Sequence, residues 1–554
     1  MKKLIYQLFV RHFGNTQTSL KEGGDIIENG CGKFEDITTA AIIEIKKMGF
    51  THIWLTGVID HACGTSYPDK AADNDKILKG KAGSPYAIRD YFDICRDLAV
   101  DVDKRIDEFK ALIKRIHLMD LKVIIDFVPN HVARSYKSVM RPELTFGLED
   151  DTQQFCAINN HYYYLSKDEE VQLPGGAYSI EKPPKVTGNN AVTSTPSQND
   201  WYETVKLNYG YDFVNNIRLY ADGTIPSTWK MMDQVLAYWQ EIGVDGFRCD
   251  MAHMVPVGFW QYAISMARDR SDQVFFIGEA YANDPMKVPE GKVLSRLLSS
   301  GFDEVYDSQS YDIVKDIYEK GKWANDLDDV LWDQKCLHQM TRYAENHDEV
   351  RLGNPKHWGG HGAKIGSAVC GFLYGIGSGG CLFYNGQEVG EKAEGVSGFS
   401  KDDGKTSIFD YTALPEFQKW VNGHKYNGGE LDEKQTNLRE WYTKWFKVMK
   451  EPAFHSGGTY GLNSCNRDNE KYGRLEGESI SGHWLYSFLR YDRKSGQAFL
   501  VVINFHPTET MNNVEIFFSK DARMWLGDYD YEHLELEDVR PCEVITYCMK
   551  HIKK

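Results

Sequence analysis

Eight short apolar runs, separated mostly by stretches with helical periodicity, restrict the fold of this chain more than any other feature. In chain order they are LIYQLFV, THIWLTGVI, KVIIDFV, VDGFRCD, VFFIGEA, FDEVYDS, RYAENHD and GCLFYNG. Helical spacing of apolar residues is clearest at 37–49 and 102–120. Apolar strands that alternate with helices indicate a parallel sheet covered by helices. Eight such units predict an α/β fold, the closed (β/α)8 or TIM barrel.

The spacing of acidic residues at the ends of these runs indicates one large insertion. Asp250 and Glu279 are 29 residues apart, about one unit of a barrel that takes about 250 residues in all. Asp126 and Asp250 are 124 residues apart, and the excess is rich in Asn, Pro, Gly and Tyr with little helical periodicity. We therefore predict an inserted domain after strand 3, at residues 131–225.

The rest of the chain divides into two parts. Residues 1–130 and 226–452 carry the eight strand patterns and are predicted to form the barrel. From 453 to 554 the pattern changes to alternating strands and turns, as in HWLYSFLRY and QAFLVVINFH. This change predicts a C-terminal antiparallel β-sandwich domain.

Charge and cysteine content narrow the partners and the compartment. A net charge of −16 repels phosphate groups, so we expect neither nucleic acid nor a membrane as a partner. The eleven cysteines show no metal-ligand spacing, and MKKLIYQLFVRHFG fits a first strand better than a signal segment, so we predict a cytoplasmic protein. The uncharged stretch 365–384 contains six glycines, which favours a buried helix, a turn and a buried strand over a membrane span. The oligomeric state stays open.

Several predicted strands end in polar residues. The C-terminal ends of all strands in a parallel barrel meet at one rim, so polar residues there converge from distant parts of the chain. Arg248 and Asp250 are two apart on one strand and therefore point to the same face. The acids at strand ends are Asp126, Asp250, Glu279 and Asp348, and their polar neighbours are Arg248, His131 and His347.

Closely spaced carboxyls with different protonation states suit the cleavage of an acetal. A retaining glycosidase needs one ionised carboxylate as nucleophile and one protonated carboxyl as general acid. Arg248 is expected to keep Asp250 ionised. Glu279 follows VFFIG, an apolar setting suited to a protonated carboxyl.

Four motifs in these runs resemble the α-amylase family, glycoside hydrolase family 13. They are DFVPNH, GFRCDMAH, FIGEAY and ENHDEVR, which occur in the family's order, and the resemblance extends over nearly the whole chain. IYQLFVRHF, GSPYAIRDYFDI and LFYNGQEVGE are similar to intracellular bacterial members. The resemblance implies a catalytic barrel with an insert after strand 3 and a C-terminal β domain.

The resemblance also implies roles for individual residues. Asp250 matches the nucleophile, Glu279 the general acid/base, and Asp348 the carboxylate that grips sugar hydroxyls in the transition state. Arg248 would orient Asp250, and Asp126 would support Arg248. The remaining matches are substrate-binding positions: Tyr86 under the sugar ring, His131 and His347 on its hydroxyls, and His253 on the leaving-group sugar.

The sequence constrains the cofactor and the type of reaction less than it constrains the site residues. Asn130 matches a common calcium ligand of the family, so Ca²⁺ is one expectation, and no organic cofactor is expected. The function expected is retaining hydrolysis of α-1,4-glucosidic bonds in starch, glycogen or maltooligosaccharides. A transglycosidase, such as a glucanotransferase or maltosyltransferase, would use the same glycosyl-enzyme. A barrel that binds carbohydrate without catalysis is an alternative from a different functional class. Such a protein would be expected to lack one of the acids Asp250, Glu279 and Asp348, whereas this chain retains all three.

Overall fold

The structure, a computed structural model, covers most of the chain. It describes residues 1–177, 179, 181–282, 284, 286–287, 292–331, 334–395, 399, 401–526 and 532–549. The last five residues of the predicted C-terminal domain, 550–554, lie outside the described residues.

Eight parallel strands form a closed barrel. Each strand pairs with its neighbours in chain order, and the last strand pairs with the first. All eight predicted runs form these strands, so the predicted TIM barrel is confirmed. The strands are β1 (Leu4–Phe9), β2 (His52–Thr56), β3 (Lys122–Phe127), β4 (Gly246–Cys249), β5 (Phe275–Gly278), β6 (Glu304–Tyr306), β7 (Met340–Tyr343) and β8 (Cys381–Tyr384).

A helix follows each barrel strand and covers the outside of the sheet. The helices are α1 (Thr39–Met48), α2 (Arg105–Leu118), α3 (Ser227–Ile242), α4 (Val257–Arg270), α5 (Val293–Ser300), α6 (Ser308–Glu319), α7 (Gly366–Gly375) and α8 (Glu433–Val448). Shorter helices span Val10–Phe13, Ile26–Asn29, Gln334–Leu337, Pro415–Val421, Pro452–His455, Asn463–Asn466 and Lys520–Leu526.

Local sequence signals explain where these helices begin and end. The Thr38 side chain accepts the Ala41 N–H at the start of α1, and Gly49 ends the helix with φ 116°. The helical periods predicted at 37–49 and 102–120 are thus confirmed as α1 and α2. The strands are buried on both faces, as in β4 and β5, where no residue is exposed. Burial on both faces is why they appear in the sequence as continuous apolar runs.

The uncharged stretch 365–384 forms a buried helix, a turn and a buried strand, as predicted. It contains α7 and β8, which are buried along nearly their whole length, and most of their apolar side chains belong to the main core. Within the described residues, none of the helices combines the length and the apolar character required to cross a bilayer.

Two excursions rise from the C-terminal rim of the barrel. The one after β2 contains the antiparallel pair Ile59–His61 and Ile88–Ile94. The one after β3 contains His131–Ala133 paired with Thr204–Lys206, and Tyr211–Asp212 paired with Ile217–Arg218. The insert after strand 3 agrees with the prediction, whereas the strands after β2 were not predicted. The predicted boundaries 131–225 and 453–554 stay predictions.

The C-terminal region forms antiparallel sheets, which confirms that part of the predicted fold. One sheet has four strands, β9 (Gly458–Gly461), β10 (Leu485–Asp492), β11 (Gln497–Asn504) and β14 (Val544–Cys548), and the other has β12 (Met511–Phe517) and β13 (His533–Val539). Leu489 and Val502 of the first sheet share a separate core with Val514 and Val539 of the second. β12 and β13 have an exposed second face, whereas β10 and β11 are buried on both faces because Phe488 and Val501 belong to the main core.

Arg490 of β10 ties the C-terminal sheet to the barrel. Its side chain is fully buried and has no carboxylate partner among its described contacts, so burial and the nearby Arg342 lower its pKa to about 9. Instead it donates hydrogen bonds of 2.9–3.1 Å to oxygens from both parts of the chain: Ile376 O, Ser378 Oγ, Ala453 O, Phe454 O and Gly457 O. One guanidinium group therefore satisfies several buried acceptors where the two parts meet.

Arg490→Met should weaken this junction. Each buried acceptor left without a donor costs about 1–3 kcal/mol, so we expect the free energy of unfolding to fall by about 3 kcal/mol or more. Urea unfolding followed by circular dichroism measures the change. Arg467→Met, at an exposed position of the same region, is the control and should change stability by less than about 0.5 kcal/mol. Equal stability of the two variants would contradict the role assigned to Arg490.

Candidate active site

The strand ends place the polar residues of the sequence motifs side by side. Arg248 of β4 is aligned with Asp126 of β3, and Cys249 is aligned with Gly278 of β5. Asp250 and Glu279 directly follow β4 and β5, and the Glu279 N–H still donates to Cys249 O at 2.9 Å. The parallel register therefore brings residues from three distant segments to one rim.

Arg248 is the centre of this group. Its Nη1 lies 2.7 Å from Asp250 Oδ1 and 3.4 Å from Asp126 Oδ1, and its Nη2 lies 2.8 Å from Glu279 Oε2. The guanidinium carbon lies 5.3 Å from the ring centres of Trp54 and Tyr86. The side chain is 1% exposed. A single buried cation thus faces three carboxylates.

Asp250 is buried, and one of its oxygens is unpaired. Oδ1 pairs with Arg248, whereas Oδ2 has no hydrogen-bond partner among the described residues. Burial raises the pKa of Asp250 well above its ordinary value, and the charge of Glu279 raises it further, while Arg248 acts in the opposite direction. The sequence predicts that Arg248 keeps Asp250 ionised. In the structure Arg248 contacts Asp250 as expected, and the same cation also faces Asp126 and Glu279.

Glu279 occupies a polar setting rather than the apolar one expected from VFFIG. Oε2 accepts the Met251 N–H at 2.8 Å and faces Arg248, and Oε1 accepts the Tyr281 hydroxyl at 3.1 Å. Met251 adopts a left-handed conformation, φ 45°, which aims its N–H at this carboxyl. The apolar side chains of β5 lie in the barrel, while the carboxyl emerges at the rim.

Asp348, His347 and Tyr86 form a second group on the same rim. His347 Nε2 lies 2.9 Å from Asp348 Oδ2 and 2.6 Å from the Tyr86 hydroxyl. His347 Nδ1 lies 2.8 Å from Gln7 Nε2. Burial favours the neutral acid, but the charge and hydrogen bond of His347 outweigh it and lower the pKa of Asp348 below its ordinary value. Asp348 is therefore ionised at neutral pH.

One pocket joins the three predicted acids. Besides Asp250, Glu279 and Asp348, the predicted residues Tyr86 and His131 line it. Burial and the charges of Lys206 and Lys79 lower the pKa of His131 to about 3, so its ring is neutral at physiological pH. The structure thus brings five of the predicted site residues to one cavity.

The other predicted substrate-binding residues do not line this pocket. Arg248 lies behind Asp250 and Glu279, and the His347 side chain is fully buried behind Tyr86 and Asp348. His253 is also buried, with Nε2 3.0 Å from Asp284 Oδ2 and Nδ1 3.4 Å from the carbonyl oxygen of Glu279. All three side chains contact residues that line the pocket, but they do not themselves face the cavity.

Several pocket residues were not identified from the sequence. They are Lys79, Ser84, Trp201, Glu203, Thr204, Met251, Ile408 and Phe409. Most lie in loops or in the insert, where no periodicity marks a residue as facing inward. Tyr281 was also missed, although its position two residues after Glu279 in FIGEAY could have signalled a shared face.

The surroundings of Asn130 do not fit a calcium ion. Lys206 Nζ lies 2.5 Å from Oδ1 of Asn130, the residue that the family resemblance offered as a calcium ligand, and 3.4 Å from the carbonyl oxygen of Met254. Burial lowers the pKa of the Lys206 amino group to about 7. Within the described residues, no cluster of three or more His, Cys, Asp or Glu is placed to hold a metal ion. The amino group of Lys206 occupies the position that a cation would need.

Comparison with known proteins agrees with this geometry. The family model for the α-amylase catalytic domain matches residues 7–410, which is most of the chain. The chain belongs to the α-amylase family. The match begins within β1, extends beyond β8 and includes every residue of the site described above.

Characterised members of the α-amylase family resemble the chain at low identity. α-Amylase MalA of Haloarcula japonica is 23% identical over 397 residues, 70% of this chain and 44% of that protein. α-Amylase 2 of Dictyoglomus thermophilum is 20% identical over 466 residues, 82% of this chain and 64% of that protein. An α-1,4-glucan:maltose-1-phosphate maltosyltransferase of Pseudomonas aeruginosa is 37% identical over 83 residues, 15% of this chain and 12% of that protein. The chain therefore spans less than two thirds of the length of each.

Solved structures share the fold over nearly the whole chain. An α-amylase from Lactobacillus plantarum has a TM-score of 0.59 at 19% identity, with 98% of both chains covered. The cyclic α-maltosyl-(1→6)-maltose hydrolase of Arthrobacter globiformis has a TM-score of 0.62 at 15% identity, covering 99% of this chain and 98% of that one. At these identities the likeness shows a common fold alone.

The arrangement around Lys206 leads to a prediction about metal dependence. Because Lys206 Nζ occupies the space between Asn130 Oδ1 and the Met254 carbonyl, we expect EDTA to leave the thermal midpoint and the activity unchanged. Lys206→Met should lower the midpoint, since Asn130 Oδ1 loses its buried donor. Differential scanning calorimetry with EDTA and with added calcium measures both. A midpoint that falls in EDTA and recovers with calcium would contradict the prediction.

Proposed function

We propose that this protein is a retaining glycoside hydrolase that cleaves α-1,4-glucosidic bonds in starch, glycogen or maltooligosaccharides. One observation carries the proposal: Asp250 and Glu279 contact neighbouring nitrogens of Arg248 at the edge of a pocket, and Asp250 Oδ2 has no partner there among the described residues. Retaining enzymes place the two carboxyls about 5–5.5 Å apart, whereas inverting enzymes need about 6.5–9.5 Å. Two carboxyls held by one guanidinium group favour the shorter separation.

In the first step, Asp250 attacks the anomeric carbon of the bound glucose. A bond forms between Asp250 Oδ2 and that carbon while the glucosidic C–O bond breaks, and Glu279 gives its proton to the departing oxygen. Asp250 must be ionised and Glu279 protonated. Arg248 contacts both acids, so it is placed to stabilise whichever of them carries the charge as the proton is used.

In the second step, water replaces the departed sugar. Glu279, now ionised, takes a proton from this water, whose oxygen attacks the anomeric carbon and displaces Asp250. Two inversions at the same carbon give a product with the original α configuration. The Met251 N–H, the Tyr281 hydroxyl and Arg248 stabilise ionised Glu279 between the steps.

The other pocket residues orient the sugar. Tyr86 presents its aromatic ring to the cavity, and ionised Asp348 accepts hydrogen bonds from sugar hydroxyls that strengthen in the transition state. Neutral His131 can donate to or accept from a hydroxyl group. His347, His253 and Arg248 act as positioning residues for Asp348, Glu279 and Asp250. The Arthrobacter relative has been solved with maltose bound, which supports an α-glucan as substrate here.

Transfer of the glycosyl group to an acceptor is the second candidate, because maltosyltransferases are among the relatives of this chain. Both reactions pass through the same glycosyl-enzyme and differ in what replaces the leaving sugar. Incubation with maltoheptaose, followed by mass spectrometry and by NMR of the anomeric protons, separates them. Hydrolysis yields only shorter chains, whereas transfer yields some chains longer than the substrate.

A cytoplasmic location is also proposed. The eleven cysteines all lie in the part of the chain that the structure describes, none of them forms a disulfide, and most are buried. Cysteines that form no disulfide bond support a reducing compartment.

Asp250→Asn tests the nucleophile. The amide cannot attack the anomeric carbon, so we expect kcat on a maltooligosaccharide to fall by several orders of magnitude. Stability should change little, because the amide has the size of the carboxyl group and its oxygen can still accept the hydrogen bond from Arg248. Asp272→Asn, the same change at an exposed position, is the control and should keep full activity. Near-normal hydrolysis by Asp250→Asn would refute the proposed mechanism.

Glu279→Gln tests the proton donor through the pH profile of kcat/KM on an aryl glycoside with an activated leaving group. The alkaline limb should disappear, because no proton remains to be lost from Glu279. Burial raises the pKa of Asp250, so the acidic limb of the wild type should lie above about 3.9, the ordinary value for aspartate. An alkaline limb that persists unchanged would exclude Glu279 as the acid.

A further inference from the structure

Strand β6 ends beside the buried guanidinium group of the site. It pairs with β5, which Glu279 follows, and with β7, which leads to Asp348. Tyr306 is the last residue of β6 and is 2% exposed. Its hydroxyl oxygen accepts a hydrogen bond of 3.3 Å from Arg248 Nε. Strand β6 therefore supplies a neutral oxygen to the cation that the acids from β3, β4 and β5 share.

This hydrogen bond holds the side of the guanidinium group that faces no acid. Nη1 faces Asp250 and Asp126, and Nη2 faces Glu279, whereas Nε donates to Tyr306. A guanidinium group is planar, so a fixed direction for its Nε–H bond also fixes the directions of both terminal nitrogens. Without that bond the plane can turn about the Cδ–Nε bond, and such a turn would carry both terminal nitrogens away from the acids.

The Tyr306 hydroxyl is a neutral acceptor. Burial raises the pKa of Tyr306 above its ordinary value, although Arg248 acts in the opposite direction, so the hydroxyl keeps its proton at neutral pH. A further carboxylate at this position would compete with Asp250 and Glu279 for the positive charge. A phenol orients the cation without adding a negative charge to the site.

Aromatic rings surround the cation and hold Tyr306 in place. The ring centre of Tyr306 lies 5.7 Å from the guanidinium carbon of Arg248, and those of Trp54 and Tyr86 lie 5.3 Å from it. The Tyr306 ring also lies 5.2 Å from the ring of Tyr343 on β7. The buried hydroxyl of Tyr343 has no hydrogen-bond partner among the described residues, so this neighbour is a matched control for Tyr306.

We infer that Tyr306 is a positioning residue, which holds the Arg248 guanidinium group in the orientation that contacts Asp250 and Glu279 together. This inference rests on the proposed function. Hydrogen bonds to charged groups are about twice as strong as those between neutral groups, so the bond resists turning of the guanidinium plane. Tyr306 is not among the described residues that line the pocket. Its contribution is therefore expected in the chemical steps, where both acids act, and not in the binding of the substrate.

Tyr306→Phe in the full-length protein tests this role, because it removes the hydroxyl oxygen alone. We expect kcat on a nitrophenyl maltooligosaccharide to fall by about tenfold or more while KM stays nearly unchanged. Tyr343→Phe removes a hydroxyl that makes no described hydrogen bond and should keep kcat within about twofold of the wild type. Circular dichroism checks that both variants are folded.

The outcomes of this comparison separate the inference from the proposed function. Equal kcat values for the two variants, or a change in Tyr306→Phe that is confined to KM, would overturn the inference while wild-type cleavage leaves the proposed function intact. A wild-type protein that cleaves no α-glucoside would overturn both.

A double-mutant cycle tests whether Tyr306 acts through Arg248. Arg248→Lys keeps the positive charge but replaces the planar fork by one rotating ammonium group, so the hydroxyl can no longer orient separate nitrogens toward the two acids. In that variant, the addition of Tyr306→Phe should lower kcat by less than about twofold further. A further fall of about tenfold would mean that Tyr306 acts independently of Arg248 and would overturn the inference.

Discussion

The site depends on one buried guanidinium group that faces three carboxylates. Without Arg248, the charges of Asp126, Asp250 and Glu279 would repel one another in a region with little water, and burial alone costs an ion several kcal/mol. One cation cannot neutralise three acids, so a proton is retained among them, which is what acid catalysis needs. The barrel makes this possible because it aligns the ends of β3, β4 and β5 in register.

Other cationic side chains connect the parts of the chain around this centre. The Lys206 amino group lies between Asn130 after β3 and the Met254 carbonyl after β4, so a protein atom makes contacts that a bound metal would otherwise make. Arg490 joins the C-terminal sheet to the barrel through carbonyl oxygens. In both places a long side chain reaches acceptors on segments far apart in sequence, so no separate ligand is required to connect them.

The sequence predicted the parts of the site that repeat with the fold. Strands buried on both faces leave continuous apolar runs, and residues at their ends, such as Asp250 and Glu279, could be assigned to one rim from the pattern of these runs alone. The pocket wall was not predictable in this way. Lys79, Trp201 and Phe409 lie in irregular segments, where neighbours in space are unrelated to spacing along the chain.

By itself, the sequence determined the eight-stranded barrel, the C-terminal antiparallel region, the family and the set of acids at the strand ends, because periodicity and motif order are local properties. Only the tertiary structure decided how charge is shared. It brought Asp250 and Glu279 onto one guanidinium group, surrounded Glu279 with donors and put Lys206 beside Asn130. The physical reason is that protonation and cation binding depend on distances between segments, and those distances exist only after the chain has folded.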